Sequence, residues 1–131
     1  MQFLKNIFST NTNAKEFKKQ LNNVIGFTPG DAAIYKTALS HRSVREGADE
    51  NNERLEFLGD VVTNTTIVNH LYDRFPNEQE GFLTRLKTNL ISTVWYSKFA
   101  RYMGLQKYLI ISKHVEEVGN GRNSDKILEN V

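Results

Sequence analysis

There is no cysteine in the 131 residues, and there are only two prolines and one tryptophan. Without cysteine, disulfides and thiolate zinc sites are excluded, so any metal must be held by carboxylates or by the three histidines. No apolar run approaches the roughly 18 residues needed to span a bilayer. The opening MQFLKNIFSTNTNAKEFKKQ is broken by lysines too often to be a secretory leader. The chain therefore reads as cytoplasmic, with no membrane partner.

What is present is ordinary for a globular protein: 39% hydrophobic residues and 24% charged. One domain of this length buries roughly two-thirds of its unfolded surface. Ala14, Phe17, Leu21 and Val24 recur at helical spacing, which predicts a first amphipathic helix over 14–24. Thr28-Pro29 looks like a cap with proline at the first helical position, opening a second. SHRSVREGADENN is polar and aperiodic, hence a loop. A long helix is predicted from near Asn52 to Phe75, where Pro76 stops it. One or two more helices follow, ending at Gly104 as C-cap. LQKYLIIS reads as a short strand or extended segment, EEVGNGRNSD as a loop, and KILENV as the start of a last helix. The predicted class is all-α.

One stretch resists a purely structural reading. NNERLEFLGD places Glu53, Glu56 and Asp60 at i, i+3 and i+7, a narrow sector of one helix face. Leu55, Leu58 and Val62 share that spacing two positions on and supply an apolar face for packing. Like charges at these separations repel unless a cation lies between them, and hard oxygen ligands suit Mg²⁺ or Mn²⁺. Glu53 and Glu56 also fit a plain exposed first turn favoured by the helix dipole. Gly59-Asp60 fits less well, because the pair costs very roughly 1.5 kcal/mol of helix propensity relative to alanine. Glycine there suggests a close backbone approach, and aspartate a short-range ligand.

NERLEFLGD resembles the signature of the ribonuclease III family, Mg²⁺-dependent dimeric endonucleases that cut double-stranded RNA. ALSHRS, LYDRFP, EGFLTRLKTNLIS and GRNSDKILENV resemble its other blocks in the same order, so the likeness runs from about Gly26 onward. It divides the chain into an N-terminal helical segment, 1–25, and a partial nuclease domain, 26–131, with no double-stranded-RNA-binding domain. The resemblance implies catalytic and metal-binding roles for Glu56 and Asp60, with Glu53 at the site's edge. It puts Phe57 in a pocket of a partner subunit, although burial in the chain's own core is an equal alternative. Glu80 aligns with an acid that reaches the site in some members, but Asn77-x-x-Glu80 also reads as a capping box. His41 reads as a hydrogen-bonding structural residue rather than a ligand.

The second acidic motif departs from the family pattern. An Ile-Leu pair, a variable residue, Asp, two residues and Glu are usual. Here Ile127-Leu128-Glu129 lead to Asn130 at the Asp position, a degenerate metal ligand, and the Glu position lies beyond Val131. About half of the acidic set remains, which suggests a C-terminally incomplete domain, either a truncated product or a fragment. Glu129 could substitute only from a helical position rotated by about 100°.

Charge is also unevenly distributed. Five acids and one Arg lie between Asp49 and Asp60, whereas six Lys or Arg and no acid lie between Gly81 and Lys113. Among these, Arg85, Lys87, Lys98 and Arg101 are candidate phosphate contacts, with solvated helix faces as the alternative. Two functions follow. One is a ribonuclease III-type endoribonuclease acting as a homodimer on double-stranded RNA in RNA processing. The other is an inactive double-stranded-RNA-binding or dimerisation module derived from the same fold.

Overall fold

The computed structural model describes residues 12–44, 51–118 and 120–131. Seven α-helices are present among them: α1 Thr12–Ile25, α2 Ala32–Ala38, α3 Glu53–Arg74, α4 Glu80–Leu90, α5 Thr93–Met103, α6 Lys113–Val118 and α7 Asp125–Leu128. No strand occurs among the described residues, so the chain is all-α. It forms two compact units, Met1–Lys36 and Thr37–Val131.

In the first unit, α1 buries Phe17 and Leu21, one turn apart on a single face. It ends at Gly26, whose φ of 81° is open to glycine at little cost, and the Gly26 N–H donates to Asn22 O. Asn22 Nδ2 donates to Thr28 Oγ1 at 2.9 Å and Lys18 Nζ to Gly30 O at 2.8 Å. Thr28 is therefore not the cap of α2. The Asp31 carboxylate accepts the Ala33 N–H at 2.8 Å, so the chain bonds locally up to Gly30 and the helix begins at Ala32.

In the second unit the core lies where α5 meets α7. Ala100, Leu109, Ile127 and Leu128 are buried, with Leu105, Ile111, Val115 and Val131 packed around them. The α5 helix ends at Gly104 in the left-handed conformation, as its sequence predicts. LQKYLIIS is neither strand nor fully extended: Leu105–Lys107 is a 3-10 turn, and Ile110 makes an isolated parallel bridge to Ser40. EEVGNGRNSD is not simply a loop either. It holds the end of α6 and a 3-10 turn, Gly121–Asn123, folded back by one arginine. Arg122 donates to Leu109 O at 2.7 Å and forms a two-point ion pair with Glu116. Gly121 is buried there, and an added Cβ would lie 2.6 Å from Ile111 Cδ1 and 2.9 Å from backbone atoms of Glu116 and Val115.

Two expectations for the long helix fail. Leu58 and Val62 are 58% and 57% exposed, so the predicted apolar face is not buried by the described residues, whose core forms on α5 and α7 instead. Gly59 makes no close backbone approach, because nothing lies within 4 Å of where its Cβ would be.

Candidate active site

The start of α3 is held from three sides. Asn51 and Asn52 are buried. The Asn52 N–H donates to Ser40 O at 2.8 Å, Asn51 Oδ1 accepts the Glu53 N–H at 3.0 Å, and Asn52 Nδ2 donates to Asn130 O at 2.7 Å. The last of these joins the first turn of α3 to the end of α7 across 78 residues, uniting the two acidic motifs. Sequence reasoning did not assign Asn52 this role. Its signal was the doubled asparagine directly before the acidic run.

Two adjoining hollows open at this junction. One, of about 310 Å³, is lined by His41, Arg42, Asn52, Glu53, Glu56, Phe57, Asp60 and Asn130. The other, of about 300 Å³, has Glu56, Asp60, Tyr96, Glu129 and Asn130 on its polar side and Leu55, Phe99, Ala100 and Met103 on its apolar side. The structure thus brings together Glu53, Glu56, Asp60, Phe57 and Asn130, and adds Glu129 and Tyr96. Glu80 lines neither hollow. Its carboxylate accepts a 2.7 Å hydrogen bond from Thr84 Oγ1. The capping-box reading of Glu80 fails as well. Gln79 is the N-cap and makes no side-chain cap bond, so Glu80 is the first helical residue, not the third.

The electrostatics match a crowded acidic site. Partial burial pushes the Glu56 carboxyl above its ordinary range, and the charges of Asp60, Glu53 and Glu129 push it in the same direction against a smaller pull from Arg42. Burial and Asp60 likewise raise the Tyr96 hydroxyl. Arg42 lies 3.6 Å from Glu53, and both side chains are more than half exposed. Among the described residues, no three His, Asp or Glu side chains converge closely enough to hold a metal ion. Glu56, Asp60 and the amide of Asn130 nevertheless line both hollows, and such hard oxygen donors suit a hard divalent cation in kind.

The candidate cations lie elsewhere. None of Arg85, Lys87, Lys98 and Arg101 lines these hollows. Lys98 stands over the Trp95 ring at 5.0 Å. Arg101 is engaged internally, donating to Asn123 O at 2.7 Å and pairing with Asp125 at 2.5 Å. His41 is a hydrogen-bonded residue, as its sequence context suggests, with Nδ1 2.9 Å from Ser43 Oγ. Phe57 is 77% exposed, which removes burial in its own core as an alternative.

A family model described as ribonuclease-III-like matches residues 31–131. The chain belongs to this family. It is 39% identical over 124 residues to putative protein A464R of Paramecium bursaria Chlorella virus 1, covering 94% of this chain and 44% of that one. It is 36% identical over 116 residues to ribonuclease 3 of a Nitratiruptor species, covering 88% and 48%. The chain thus spans less than half the length of these relatives. In structure, this ribonuclease-III-like chain resembles the nuclease domain of ribonuclease III from Campylobacter jejuni, with a TM-score of 0.79 and 28% identity over 86% of this chain and 76% of that one. That neighbour is described as structurally flexible in a region involved in dimer formation.

Proposed function

We propose that this chain is the nuclease domain of a ribonuclease III-type endoribonuclease, with residues 26–131 as that domain and 1–25 as a helical segment before it. Its substrate is double-stranded RNA, cut during RNA processing in the cytoplasm. The observation that carries this reading is the meeting of Glu56 and Asp60 with Asn130 around shared hollows, held by the Asn52–Asn130 hydrogen bond. Glu56, Asp60 and Asn130 would hold Mg²⁺ or Mn²⁺, which when bound supplies charge neutralisation at the phosphate and a more acidic water. The protein's own part is to hold these oxygens together. Asn52 fixes the two motifs in register, Glu53 adds negative charge at the rim, and the apolar wall of Leu55, Phe99 and Met103 limits water on one side.

Phe57 is proposed to enter a second copy of the chain, giving a homodimer with two sites. Leu58, Val61 and Val62 are exposed beside it on α3 and extend the apolar patch. No described helix is long and apolar enough to cross a membrane.

The neutral Asn130 favours a second reading, an inactive double-stranded-RNA-binding or dimerisation module. Cleavage of a long duplex RNA in Mg²⁺ by this chain, Asn130→Asp and Asp60→Asn decides between the two. The nuclease reading expects slow cutting by this chain, at least about tenfold faster cutting by Asn130→Asp, and none by Asp60→Asn, a tenfold step being about 1.4 kcal/mol of barrier. Equal cutting with and without Asp60 would remove the site. Folded, RNA-binding proteins that never cut would count in favour of the module.

A further inference from the structure

A third hollow, of about 580 Å³, adjoins the acidic ones and differs from them in charge. His41, Arg42 and Asn130 belong to its wall and to the wall of the acidic hollow beside it. Its other polar groups are His114 of α6 with Ser124 and Lys126 at the start of α7, and no carboxylate lines it. Lys126 is exposed and has no ion-pair partner among the described residues. Arg42 stands in the shared wall, 3.6 Å from Glu53 with both side chains more than half exposed, whereas Lys126 lines the groove alone.

Hydrogen bonding fixes which nitrogen of His41 can face a ligand. The Ser43 backbone N–H donates to His41 Nδ1 at 3.2 Å, so Nδ1 carries no proton. Ser43 Oγ accepts the Ser112 N–H at 3.1 Å and lies 2.9 Å from the same Nδ1. The ring proton is therefore on Nε2, which has no hydrogen-bond partner among the described residues. The backbone is pinned as well, with the His41 N–H donating to Ile110 O at 2.9 Å. Burial, with Arg42 beside it, lowers the imidazole's pKa against a smaller opposing pull from Glu53.

We infer that this groove seats a backbone phosphate of the RNA substrate next to the one held at the acidic hollow, with Lys126 and Arg42 supplying charge and His41 Nε2–H a directed hydrogen bond. The inference rests on the nuclease reading and assigns it a substrate contact distinct from Arg85, Lys87, Lys98 and Arg101. The shared wall favours a polyanion with closely spaced charges, because one phosphate at the acidic hollow brings its neighbour to the groove.

The test is equilibrium binding of a short RNA duplex, without cleavage, across a salt series. Lys126→Ala and Arg42→Ala should each weaken binding by about tenfold at low salt and flatten the slope of log affinity against log salt by about 0.9. Lys126→Arg should restore both. The His41 Nε2–H resonance should shift when the duplex is added. Variants that bind with unchanged affinity and slope, beside a binding-competent parent, would overturn the groove and leave the nuclease reading intact. A parent chain that binds no duplex RNA would overturn both.

Discussion

At Glu56 the chemistry of the site reduces to one carboxyl that is uncomfortable when charged. Its raised pKa means that the folded chain binds the proton more tightly than the unfolded chain does. The contribution to stability is therefore fully present below the ordinary glutamate range and declines as pH rises through that range to the folded value. Carbon-13 titration of the metal-free protein should place the Glu56 midpoint above that of an ordinary glutamate. Asp60→Asn removes one of the charges responsible and should bring the midpoint down; an unmoved midpoint would separate the two groups. A cation at the same oxygens competes with that proton. Calorimetry with Mn²⁺ should accordingly show weaker binding for Asp60→Asn and unchanged binding for Glu80→Gln, since Glu80 is turned to Thr84.

Within single elements, the glycines separate propensity from packing. Gly59 is inside α3 with open space where a Cβ would go. Gly59→Ala should therefore stabilise the chain by about 0.5–1 kcal/mol, measured as a shift in urea midpoint, and a loss of stability would mean that something seats against it. Gly121 presents the opposite case. Its Cβ would strike backbone on α6, so Gly121→Ala should cost about 1–3 kcal/mol. The acidic sector, the long helix ending before Pro76 and the Gly104 stop were all legible from spacing and local chemistry. The Arg122 fold-back and the short α6 were not, because their stabilising contacts reach Leu109 and Gln106 across 13 and 16 residues and leave no periodic trace.

At the scale of the whole molecule, much of the exposed apolar surface lies on two helices. Phe57, Leu58, Val61 and Val62 on α3 and Trp95, Phe99 and Tyr102 on α5 are all well exposed. Patches of this kind mark interfaces. Phe57→Ala should shift sedimentation toward monomer without lowering the melting temperature of the monomeric fraction, because the side chain contributes little to the chain's own core. A parent chain that stays monomeric at high concentration would remove the proposed homodimer and its paired sites.

The sequence by itself determined the helical class, most helix positions and the sharing of one face by Glu53, Glu56 and Asp60, because these follow from a 3.6-residue period and from local caps. It also exposed the departure at Asn130. Tertiary structure alone decided that Asn52 would clamp α7 to α3, that Glu129 and Tyr96 would join the acidic hollow, and that Arg42, His41 and Lys126 would line a cationic groove beside it. Those neighbours come from segments dozens of residues apart. Their meeting is set by how α3, α5 and α7 pack, a long-range outcome that no local spacing encodes.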